Sequence, residues 1–321
     1  MGYRPTRGRS RRVADRRSWW RWAQVALALG VIAYAARKLI RDWNAFQSQS
    51  VEWRVEAWWL LLSLAVVWLS YAILVEGWRR VVLAMRQRLG YLDAVRICMV
   101  SNLGKYLPGK VWAIAGAAIL AERAGVQPAA AVAAAFILQA LSLASGLLLV
   151  AFLAPEAVQS LGRGPRLILG TLAVLALGGL IVFAVPPLLA RLRRWLPRSV
   201  AGIEPVPPGP LLLGLAANLV AWSAYGLAFL CLIRGLTPDA HVTWGQATAV
   251  FTISYLVGLV AAFAPGGVGP RELAFTLLLA PTVGSGAAVG LAVATRLLLT
   301  ITELGAALPF LPAMRRAPRA S

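Results

Sequence analysis

Apolar runs about as long as a bilayer is thick recur from one end of this chain to the other, and nothing else in it constrains the fold so strongly. Roughly 20 apolar residues carry an α-helix across the hydrocarbon core. Runs of this kind stand at about 19–39, 57–78, 128–153, 165–189, 211–233 and 285–310. Lipid offers the backbone no hydrogen-bond partners, so each run must satisfy its own polar groups, which a helix does. With 60% hydrophobic and 14% charged residues among 321, one soluble core could not hide the apolar surface. The fold class expected is an all-α polytopic membrane protein.

The formal net charge of +20 raises nucleic acid as a partner, and its distribution argues against it. Basic residues gather at the two termini and in short loops between apolar runs, the pattern that marks the cytoplasmic side of a membrane protein. No nucleic-acid partner is expected. Residues 1–18 read as a basic cytoplasmic arm able to touch anionic headgroups, and 313–321 as a basic cytoplasmic tail. One histidine, His241, and two distant cysteines, Cys98 and Cys231, offer little for a metal site, a disulfide or a Ser-His-Asp triad. Neither cofactor nor metal is expected.

Two elements break the pattern. Apolar pieces near 93–106 and 110–122 are each too short to cross, and Leu107, Pro108 and Gly109 separate them. Pieces near 244–263 and 270–280 flank Ala264-Pro265-Gly266-Gly267-Val268-Gly269. Pro108 and Pro265 lie 157 positions apart (265 − 108), and the same shift carries 128–153 onto 285–310 and the second run to about 214–235, overlapping 211–233. The order span, span, broken element, span therefore occurs twice, at about 19–153 and about 165–312 within one membrane domain, 19–312. If each broken element enters and leaves on one face, the second copy is inverted and both termini are cytoplasmic. That topology places 20 basic residues inside and seven outside, whereas crossing elements weaken the bias. Six full spans plus two opposed re-entrant hairpins are expected.

Irregular backbone at membrane depth is tolerated only where protein or a wet cavity satisfies it, so two such breaks point to a shared cavity near the midplane. Past each break a half-helix would aim its free N–H groups inward, and Pro270 suits the first helical position. Gly266, Gly267 and Gly269 permit a tight turn. Lys105 and Lys110 flank the first break, and Arg271 and Glu272 follow the second. Arg296 lies deep in the last run, with Glu303 seven residues on and on the same helical face. The ligand expected is an anion such as a lipid phosphate, with Glu272 pairing a cation or coupling a proton. Structural readings stand beside each assignment. Arg296 could lock helices through Glu303 or Glu272, the lysines could snorkel to headgroups, and the glycines could serve close packing. Asn102, Gln139 and Asn218 read as interhelical hydrogen-bonders.

Three segments resemble the flippase-like family that includes the transmembrane region of lysylphosphatidylglycerol synthase. They are Asn102-Leu103-Gly104-Lys105-Tyr106-Leu107-Pro108-Gly109-Lys110, Glu122-Arg123-Ala124-Gly125, and Pro265-Gly266-Gly267-Val268-Gly269-Pro270-Arg271-Glu272. The resemblance covers about 19–312. It implies a lipid or lipid-linked-glycan translocase of the bacterial inner membrane, with Pro108, Gly109, Pro265, Gly266, Gly267, Gly269, Arg271 and Glu272 in the translocation site. The partners it implies are an anionic phospholipid or a polyprenyl-phosphate-linked substrate, besides membrane lipids and a lipid-modifying enzyme or glycosyltransferase. Many relatives follow the first Pro-Gly with a Gly-Glu pair and an Arg, where this chain has Val111 and Trp112. Pro270 stands where a small aliphatic residue is common.

The eight residues after 313 leave no room for the synthase's aminoacyl-transfer domain, and no catalytic constellation is seen, so the chain is not expected to be an enzyme. Two rival readings have their own tests. An integral-membrane transferase acting on a lipid-linked donor would need a general base from among Asp93, Glu122, Glu272 and Glu303. A non-transporting subunit would recruit its enzyme through the basic arm.

Overall fold

The computed structural model describes residues 53–106, 111–154, 163–194, 205–261 and 264–311. All regular structure within them is helical. The helices are α1 (Ala57–Ala84), α2 (Tyr91–Asn102), α3 (Val111–Arg123), α4 (Pro128–Leu153), α5 (Arg163–Ala184), α6 (Pro186–Arg193), α7 (Pro208–Leu236), α8 (Trp244–Val260), α9 (Pro270–Val283) and α10 (Ser285–Ala307). Short 3-10 turns at Leu103–Tyr106, Pro265–Gly267 and Leu308–Phe310 complete the order. The expected span at 19–39, the arm, the tail and the tip of the first break at 107–110 lie outside the described residues.

Among the described residues four helices, α1, α4, α7 and α10, are long and apolar enough to cross a membrane. The chain is a multi-pass integral membrane protein. Local chemistry sets their ends. Pro128 and Pro208 open α4 and α7, where the first turn has no use for the missing N–H. Thr243 caps α8 by accepting from the Gln246 N–H, while the Gln246 side chain accepts from the Thr243 N–H. The run expected at 165–189 is two helices instead of one. It stops at Ala184, and α6 starts at Pro186, because Pro186 and Pro187 cannot donate to the preceding turn. Large side chains such as Trp58, Leu148, Phe152 and Ile301 are exposed, as lipid-facing positions should be.

The contacts pair off. α1 packs on α2 as α7 packs on α8, α2 on α3 as α8 on α9, and α3 on α4 as α9 on α10. Across the halves, α1 meets α10 as α7 meets α4, and α2 meets α10 as α8 meets α4. At the centre α1 and α7 form the most extensive helix pair, stitched where the Ser63 hydroxyl donates to the Ala228 carbonyl at 2.7 Å. Small residues let helices approach: a Cβ at Gly226 would stand 2.5 Å from the Thr248 Cα, so α7 and α8 touch backbone to backbone. The consequence for function is that the two 3-10 turns, one from each broken element, come into contact and lie beside α10.

Candidate functional site

The second break is built to hold its own backbone. Gly266, Gly267 and Gly269 have φ of 57°, 74° and 92°, the left-handed region that side chains disfavour. Gly267 also abuts the preceding helix, α8, since a Cβ there would lie 2.9 Å from the Gly258 Cα. Pro270 takes the first helical position of α9, and the Gly269 N–H donates to Glu272 Oε2 at 2.7 Å. Arg296, midway along α10, donates from Nη1 to the Gly266 carbonyl at 2.7 Å and stands 3.6 Å from Glu272 Oε1. One guanidinium thus satisfies a stranded carbonyl and pairs with the capping carboxylate.

Arg271 points elsewhere. Its guanidinium carbon lies 5.0, 5.3 and 5.7 Å from the ring centres of Tyr255, Phe251 and Phe275. The residue is 7% exposed, and its Nη2 has no hydrogen-bond partner. Aromatic faces carry negative potential, which holds a desolvated guanidinium where no carboxylate reaches. These rings belong to a cluster that continues through Tyr225, stacked on Phe251 at 5.2 Å, and Trp222, edge-on to Tyr255 at 5.2 Å.

The first break does the reverse. Its turn delivers Lys105 to Glu303 of α10, with Nζ 2.5 Å from Oε1. The Tyr106 hydroxyl donates to Glu303 Oε2 at 2.7 Å, and the Tyr71 hydroxyl of α1 donates to Oε1 at 3.4 Å. Glu303 is 5% exposed, so three donors from two elements surround a carboxylate almost removed from solvent. Desolvation of that order is unfavourable unless partners replace the lost water.

Lys105 and Glu303 line a cavity of about 360 Å³ bounded by α1, α2, α3, α4, α7, α8 and α10. Asn102, Gln139, Ser142 and Asn218 give it polar walls, and Tyr71, Tyr225, Phe251 and Tyr255 aromatic ones. Among the described residues, none of 266–272 lines it. Among the residues singled out from sequence, Lys105 and Glu303 therefore share the cavity wall. Gly266, Gly267, Gly269, Arg271, Glu272 and Arg296 form the adjoining framework, where Pro265 opens the turn. Pro108, Gly109 and Lys110 lie outside the described residues. Asn218 was expected to bond between helices; its amide donates instead to the Gly214 carbonyl of its own helix at 2.8 Å. Sequence reasoning passed over the tyrosines, although a phenol in an apolar run needs a partner for its hydroxyl. Four of the chain's seven, Tyr71, Tyr106, Tyr225 and Tyr255, line the cavity or bond Glu303.

The family profile described as "Lysylphosphatidylglycerol synthase TM region" matches residues 21–306. No curated protein matches the chain.

Proposed function

Since the chain belongs to the family of the lysylphosphatidylglycerol synthase transmembrane region, we propose that it is a flippase-like translocase that binds the phosphate of a lipid headgroup at Lys105. The observation that carries this reading is the Lys105–Glu303 pair in the wall of the cavity, with Lys105 partly accessible and Glu303 buried. A cation held at a cavity wall by a single carboxylate is poised to exchange partners. A phosphate oxygen can replace Glu303 Oε1 at the ammonium, while the Tyr106 and Tyr71 hydroxyls continue to hold the carboxylate. The cavity volume, about 360 Å³, suits a headgroup without its acyl chains, which would stay in the bilayer.

In this reading the two short helix pairs are opposed re-entrant hairpins, one in each inverted copy, and movement of one copy against the other exposes the headgroup to alternate faces. The rigid second break is the frame and the first break the carrier. The protein sits in the bacterial inner membrane with both termini cytoplasmic, as the distribution of basic residues favours. We assign it no catalytic step of its own. The substrate class is a phospholipid or a polyprenyl-phosphate-linked lipid, and a lipid-modifying enzyme is the partner that would supply it.

The test is transport in reconstituted vesicles. Chain-labelled phospholipids are followed by chemical quenching of the outer leaflet, with the copurifying lipid identified by mass spectrometry. Wild-type protein should move label between leaflets, and replacing both Lys105→Met and Glu303→Gln should stop it while the protein stays folded. Undiminished movement in the folded double variant would refute the assignment. Deleting residues 1–17 should leave movement intact, and its loss would instead favour a recruiting subunit.

A further inference from the structure

Among the described residues, Lys105 and Glu303 are the charged side chains that line the cavity, one of each sign and bonded to each other. The neighbouring cations are engaged elsewhere: Arg296 with the Gly266 carbonyl and Glu272, and Arg271 with its three rings. A headgroup bringing only negative charge would draw off Lys105 and leave Glu303 buried with no cation, an unfavourable state. A headgroup carrying a phosphate and a protonated amine replaces one ion pair by two. Its phosphate takes Lys105 and its amine takes Glu303, so no charge is stranded. The cavity suits such a guest in a second way, because the rings of Tyr71 and Tyr225 line it and an aromatic face attracts an ammonium group.

We infer that the cavity selects dipolar headgroups, those joining a phosphate to a protonated amine on one phospholipid, and that Glu303 is the residue that sets this preference. The inference rests on the reading of Lys105 as the phosphate site. It differs from a simple anion site in what it rejects: an anionic lipid of equal size pays for entry with an unpaired Glu303.

Calorimetric titration of the purified full-length protein in mild detergent tests it, with dioctanoyl phosphatidylethanolamine and dioctanoyl phosphatidylglycerol as probes. The ethanolamine lipid should bind at least about tenfold more tightly to wild type. Glu303→Gln should reverse the order, since Lys105 is then free for an anion and no carboxylate remains to hold the amine. Equal binding, or preference for the glycerol lipid, in wild type overturns the inference and leaves the phosphate at Lys105 standing. Binding of neither lipid overturns both. A folded Glu303→Gln protein that keeps the wild-type order removes Glu303 from the role. The wild-type comparison needs no variant, so a misfolded substitution does not blunt the test.

Discussion

The two breaks occupy matching places in the chain and use their charges in opposite ways. At the second, every group is turned on the protein itself: Arg296 on the Gly266 carbonyl, Glu272 on the Gly269 N–H, Arg271 into a box of rings. At the first, Lys105 is presented to a cavity and answered by a carboxylate from α10, 198 positions away. Unwound backbone in a membrane must be satisfied by something. At the second break protein groups do this and the result is a strut, whereas at the first a cavity lies beside them, which is the ground of the proposed ligand site.

The comparison breaks most sharply at Gly267. Its φ of 74° and the 2.9 Å approach of an added Cβ to Gly258 make Gly267→Ala destabilising by about 3 kcal/mol, by strain and by clash together. Thermal unfolding in detergent should show it, and a variant melting within a degree of wild type would mean the turn is not the strut described. The next effect belongs to the first break. Lys105→Met with Glu303→Gln removes both charges, leaves nothing uncompensated, and should cost little stability. Transport should still fall by about a hundredfold, near 2.7 kcal/mol of barrier. Lys105→Met alone is the sharper probe of burial: it strands Glu303 and should melt earlier than the double variant.

Arg296→Met comes third. It frees the Gly266 carbonyl and unpairs Glu272, for about 2 kcal/mol in the unfolding free energy, with residual transport per folded molecule close to wild type. Loss of transport greater than loss of folded protein would move Arg296 into the working site. The smallest effect is that of Tyr106→Phe, which removes a 2.7 Å donor from Glu303 and should cost about 1 kcal/mol. Its transport should slow only a few-fold, since Lys105 is unchanged.

Much of the framework was legible. Pro270 at the start of α9 and glycines at positive φ follow from steric rules that act over one or two residues. The 157-residue offset placed the breaks at matching steps of the two series, and their 3-10 turns do meet. The partners were less legible. Arg296 was offered Glu303 or Glu272 as partner; it meets Glu272, along with the Gly266 carbonyl, while Glu303 serves Lys105. The cavity, too, was placed between both breaks, and its described walls reach the first break and bypass 266–272.

Hydrophobic run length, helix ends and glycine turns are local, decided by transfer to lipid and by backbone sterics, so the order of amino acids sufficed for them. That Lys105 meets Glu303 depends on residues 198 positions apart arriving within 3 Å through the packing of the first 3-10 turn on α10. Spacing along a chain carries no record of that approach. The tertiary structure alone turned one break onto the protein's own groups and set the other against a cavity.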